Sequence, residues 1–264
     1  MRICPVTGLA MVLALAGCAT LPSQTIRFAG LSDCPDNSAS ELLQQSSQLG
    51  FSSSTHRLEC ALTVVRETSD PSLVRSALPS RLALHLAERE TDKTRKEALA
   101  NEGVNLAQRA LTKGGDRDGA VYYYLAANLG LAIHDHPLQA VDHLTLLEQS
   151  LNKAVQLNPA VDDGGPLRLL GMLYLKAPPW PTGMGDGDKA LDLLRQAVDR
   201  FPQQPLNHLF YAQALWEVDE QSGPAKSVME TGRARLEQGA WGYNKAIWAR
   251  EFEAVAKEIP GAGN

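Results

Sequence analysis

GGPLRLLGMLYLKAPPWPTGMGDGDKALDLLRQAVDRFPQQPLNHLFYAQAL, residues 164–215, decides the fold. Pro166 stands where a first helical turn tolerates a residue without an N–H. Leu170, Leu173 and Tyr174 then recur at i, i+3 and i+4, on one helical face. Pro178, Pro179 and Pro181 end that helix, because proline lacks the donor and restricts the residue before it. A glycine-rich turn follows, in which Asp186 or Asp188 can cap the next helix. There Ala190, Leu191, Leu194, Ala197 and Val198 form an apolar stripe. Pro202 and Pro205 close the unit, and another helix begins at Leu206. The spacing predicts one helical hairpin with a long aromatic tip.

Outward from this hairpin the pattern repeats. Helical pairs are expected over 73–89 with 93–111, 119–134 with 138–157, and 206–218 with 224–238. Gly114-Gly115 and Asn158-Pro159 punctuate them, and Asp116 or Asp118 can start the helix at Gly119. Ala110, Ala154 and Ala197 fall 44 and 43 residues apart within a shared Leu/Ala-x-x-Ala-Leu/Val spacing. Gln156 to Pro159 and Arg200 to Pro202 look like the helix ends of tetratricopeptide repeats, although the period exceeds the usual ~34. A last helix, 243–259, carries Trp248 and Phe252 at i, i+4 and is expected to cap the open end. The fold expected is all-α, an array of about four tetratricopeptide-like hairpins with a C-terminal capping helix.

Toward the N-terminus a short helix is expected over 58–66, and another after Ser38 or Ser40. Before them lies a different kind of segment. Arg2 precedes a short apolar run, Val6 to Ala16, too short to span a bilayer at the ~20 residues required. It ends Leu15-Ala16-Gly17-Cys18, which resembles the lipobox of bacterial lipoproteins. That resemblance implies cleavage before Cys18, lipidation of Cys18, and, with Ala19 rather than Asp following, anchoring at the periplasmic side of the outer membrane. Several acyl chains on one residue anchor firmly. The chain then divides into a leader at 1–17, a lipidated cysteine and polar tether at 18–40, and a repeat domain at 41–264. Cys34 and Cys60 remain, and in an oxidising compartment they form either a disulfide or two buried thiols.

Composition narrows the function. With 25 Lys+Arg against 30 Asp+Glu the net charge is −5. No basic stripe points to nucleic acid. His134, Asp135, His136 and His143 lack a zinc-ligand spacing and read as a surface turn. Gly183 to Lys189 lacks the preceding strand and Gly-Lys-Ser/Thr of a phosphate loop. No nucleophile–base–orienter set can be assembled, so neither an enzyme nor a cofactor or metal site is expected.

Gly164-Gly165-Pro166-Leu167-Arg168, Gly171, Tyr174, Ala177-Pro178-Pro179-Trp180-Pro181, Gly185-Asp186, Lys189-Ala190-Leu191 and Asn207-His208-Leu209 together resemble the T-component lipoproteins of TRAP transporters. Tyr122 to Gly130 is similar to that family's aromatic first helix. The resemblance covers roughly 70–218. It implies an all-helical periplasmic lipoprotein, held to the membrane by its lipid, that contacts the transporter's solute-binding protein. An accessory role in TRAP-type uptake is the leading expectation, the concave face docking that protein or sharing an apolar or carboxylate ligand with it. A general envelope scaffold unrelated to transport is the alternative.

Six residues are candidates for ligand or partner binding. Trp180, framed by prolines, either forms a recognition knob or folds back between hairpins. Asn207 and His208 are expected near that loop, hydrogen-bonding its backbone. Arg168 meets an anionic group or pairs with Asp163 or Asp186. Tyr122 and Asn128 are candidates to line the groove. The repeat ends and the aromatic tip also leave room for a homo-oligomer.

Overall fold

Asp92, Asp118 and Asp186 each accept a backbone N–H at the head of a helix, and Ser38 forms a reciprocal capping box with Glu41. These short polar side chains satisfy donors that a helix start leaves open. The computed structural model describes residues 25–28, 33–35 and 38–261. The leader at 1–17 and Cys18 lie outside the described residues, and the 18–40 tether is described only in part.

Twelve helices make up the described chain: α1 (Ala39–Gln44), α2 (Thr55–Glu67), α3 (Pro71–Val74), α4 (Leu78–Arg89), α5 (Lys93–Ala110), α6 (Gly119–Ile133), α7 (Pro137–Leu157), α8 (Gly165–Lys176), α9 (Gly187–Arg200), α10 (Pro205–Asp219), α11 (Ser222–Gln238) and α12 (Asn244–Glu258). The expected hairpins are α4/α5, α6/α7, α8/α9 and α10/α11, with α12 after them. The helix expected over 73–89 is in fact two. Pro79 cannot donate into the turn before it, and the Ser76 hydroxyl, 2.8 Å from the Leu73 carbonyl, closes α3 instead. No described helix is long and apolar enough to cross a membrane.

From α3 onward consecutive helices pack in order, and α4, α6, α8, α10 and α12 also touch one another in sequence. The first helix of every pair therefore lines an inner row, and α5, α7, α9 and α11 form an outer row. In α9 the stripe turns Ala190, Leu194 and Ala197 fully inward. Gly171 lets α8 and α9 approach closely, since a Cβ there would meet Leu194 Cγ at 2.6 Å. The core runs through the array in neighbouring clusters: Leu58, Leu62 and Leu82 near its start, Leu125, Leu129 and Leu170 in the middle, Leu209, Met229 and Phe252 near its end.

The capping helix does more than cover an end. Tyr243 N–H donates to the Phe51 carbonyl at 3.1 Å. The Phe51 ring lies 5.9 Å from Trp241 and 6.4 Å from Trp248. Arg89 stacks over Tyr243 at 4.4 Å while its other N–H groups bond the carbonyls of Gly50, Phe51 and Ser53. The superhelix thus turns until the start of α12 meets the Phe51 segment between α1 and α2. Cys34 and Cys60 are joined in a disulfide, their Cα atoms 5.4 Å apart, which holds residues 33–35 against α2.

Candidate functional site

The inner row curves around a cleft that is open to solvent on one side. This cavity, of about 390 Å³, lies between α4, α6, α7, α8, α10, α12 and the Phe51 segment. Its wall is chiefly apolar or aromatic, with Leu84, Leu131, Leu169, Leu173, Phe210 and Trp248 among the contributors. That size and lining suit a small molecule with an apolar body.

The α8 side of the cavity is a saturated polar network. Arg168 is 2% exposed. Its Nη2 donates to Asp162 Oδ2 at 2.6 Å and its Nη1 to Asn207 Oδ1 at 2.8 Å. The Tyr123 hydroxyl donates to the same Asp162 oxygen at 2.6 Å. Asn207, fully buried, sends its Nδ2 to the carbonyls of Asp163, Ala197 and Phe201 at 3.0–3.1 Å. What this network holds is an unfavourable turn. Asp162, Asp163 and Gly164 all have positive φ, at 51°, 48° and 90°. For non-glycine residues that region costs of order 1 kcal/mol or more each. Burial, then the neighbouring Asp162 carboxylate, pushes the Tyr123 hydroxyl well above its ordinary pKa, keeping it a donor.

Three sequence expectations change here. Arg168 pairs with Asp162 rather than Asp163 or Asp186, because the left-handed turn swings Asp162 back over α8. Asn207 and His208 do not support the Pro178–Asp188 loop. Asn207 bonds the turn before α8 and the C-terminal end of α9, and His208 Nε2 reaches the Pro202 carbonyl after α9 at 2.8 Å. Burial pulls the His208 ring toward the neutral form. Tyr122 faces away from the central cavity, into an outer groove with Leu125, Leu146 and Lys153. Its neighbours Tyr123 and Tyr124 take the inward positions. Asn128 is sealed between helices, bonding the Ser80 and Tyr124 carbonyls, and lines nothing.

Trp180 resolves to one of its two alternatives. It is 84% exposed, outside every core cluster. The loop beneath it is braced: Thr182 and Gly183 N–H groups reach the Pro179 carbonyl at 3.2 Å, Gly185 N–H reaches Pro178 at 2.8 Å, and Asp186 N–H reaches Tyr174 at 3.0 Å. Asp186 then caps α9. The indole is presented on a small rigid frame.

The histidine-rich turn pairs Lys93 with Asp135, and His136 Nε2 contacts the Glu97 carboxylate at 3.2 Å. Cys34, His56 and Cys60 come together within ligand distance, yet both sulfurs are spent in the disulfide. Sequence reasoning missed the α12 wall. Asn244, Trp248 and Glu251 fall at i, i+4 and i+7, one helical face, and all three line the cavity. The spacing was visible, but α12 read only as a cap.

No protein-family model matches this sequence, and no curated protein matches it either.

Proposed function

We propose that this chain is a lipid-anchored periplasmic accessory protein of a TRAP-type uptake system. On this reading it docks the system's solute-binding protein, and its central cavity takes the apolar part of a shared ligand. The observation that carries the proposal is Trp180, 84% exposed on a braced loop, within the Pro-Pro-Trp-Pro element on which the family resemblance most depends. An exposed aromatic with few internal degrees of freedom is the kind of residue that anchors an interface. The cavity supports the ligand half of the reading through its chiefly apolar walls.

The test is crosslinking and recovery of partners from the periplasm, with the native chain and Trp180→Ala. Recovery of a solute-binding protein that falls several-fold with the variant is expected. Recovery of envelope-assembly proteins alone would overturn the transport reading in favour of a general scaffold.

A further inference from the structure

We infer that the side of the cavity where α12 meets α4 recognises a protonated amine carried on an apolar body. The inference rests on the cavity being a small-molecule site and not on which protein docks outside it.

The charges decide the sign of the ligand. The cavity's ionisable groups among the described residues are His85 and Glu88 from α4, Tyr123 and Tyr124 from α6, His134 just after it, Asp162 and Arg168 around the left-handed turn, and Glu251 from α12, and burial keeps both tyrosine hydroxyls neutral. Among the described residues that line the cavity Arg168 is the sole guanidinium, and Asp162 and Asn207 already occupy it. A ligand carboxylate would find it spent. Two carboxylates remain. Among the described residues Glu88 has one hydrogen-bond partner, His85 Nδ1 at 3.2 Å. Glu251 takes part in no ion pair among the described residues.

An independent feature points the same way. Asn244 is 3% exposed, lines the cavity, and its Oδ1 has no partner among the described residues. A buried acceptor left open costs about 1–3 kcal/mol, so it is complementary to an incoming donor. An ammonium supplies three donors and no acceptor. Trp248 on the same helical face and Phe51 beside it add aromatic faces that attract a cation. Asn128 also has an unpaired Oδ1, but away from any cavity.

Glu251 is wetted through the cavity mouth while the walls crowd its other sides. This desolvation, with Glu88 adding to it, pushes the carboxyl up to about 7, against a weaker pull from Arg168 and Arg250. A bound cation would reverse that push. Binding should therefore strengthen from pH 6 to pH 8.

Isothermal titration of the full lipidated chain in lipid nanodiscs at pH 8, with empty discs subtracted, tests this using hexylammonium, hexanol and hexanoate. Hexylammonium should bind at least about tenfold tighter than hexanol, and hexanoate more weakly than hexanol. The Glu88→Gln/Glu251→Gln double variant should lose the ammonium advantage and keep hexanol binding. If that pair misfolds by circular dichroism, Glu251→Gln alone, at an exposed position, should reduce the advantage. Equal or tighter binding of hexanoate, or an advantage that survives these substitutions, overturns the inference. Hexanol binding without an ammonium preference overturns it alone, whereas no binding of any probe overturns the cavity reading as well.

Discussion

The two sides of the central cavity are built from similar residues to opposite effect. Around α8, Arg168, Asp162, Tyr123 and Asn207 satisfy one another and hold three successive left-handed residues in place. Around α12, Glu251 and Asn244 face the same space with partners missing among the described residues. A saturated network stabilises a shape. An unsaturated one leaves interaction free energy for something that arrives later. Buried polarity alone therefore does not mark a binding site; what marks it is polarity that the chain itself leaves unanswered.

The comparison breaks most visibly at Arg168. Arg168→Ala leaves Asp162 without its cation, Asn207 without its donor, and the turn without its clamp. It should cost about 3 kcal/mol, the low end for a broken buried pair because Asp162 keeps some water. Urea unfolding measures this, and a loss under about 1 kcal/mol would show that the network is not the turn's support. Asn207→Ala strips one shared donor group from three carbonyls and an acceptor from Arg168 Nη1. It should cost about 2 kcal/mol, less than Arg168→Ala because Arg168 keeps its Asp162 partner.

The smallest effect belongs to the other side. Glu251→Gln should leave the unfolding midpoint nearly unchanged at acid pH. Its folded carboxyl titrates near 7 against an ordinary 4.5. The folded state consequently holds the proton that the unfolded chain releases, and native stability falls as pH rises between those values. The variant should lose part of that fall. A pH profile of the midpoint that is identical in both proteins would show that Glu251 is as free in the fold as in the unfolded chain.

Much of the architecture was legible beforehand for a physical reason: helix ends and small-residue stripes are local. Asp118 and Asp186 cap where an aspartate follows a loop, and Pro178 to Pro181 stop α8 whatever surrounds them. The break between α3 and α4 was missed because the apolar period runs through Pro79 without interruption. The site was legible only in part. The Gly164-Gly165-Pro166-Leu167-Arg168 element stood out, yet its chemistry depends on Asp162 adopting a positive φ that aspartate seldom takes. Asn207 and His208 were placed by loop order, whereas their partners are set by how α8, α9 and α10 stack. Closure of the ring, which brings Phe51 to Trp241 and Trp248, is a contact across most of the chain and leaves no local trace. The face Asn244, Trp248, Glu251 becomes meaningful only once that closure puts it across from Glu88.

The division of labour between the two sides is tested most directly by the urea unfolding midpoint of Glu251→Gln at pH 8, with and without hexylammonium. A ligand bound only by the native state raises stability by mass action. The expected result is a midpoint at or above the parent's without ligand, because the variant escapes the cost of ionising Glu251, and a distinctly smaller rise with it. A variant that unfolds as early as Arg168→Ala, or that gains as much from hexylammonium as the parent, would contradict the account.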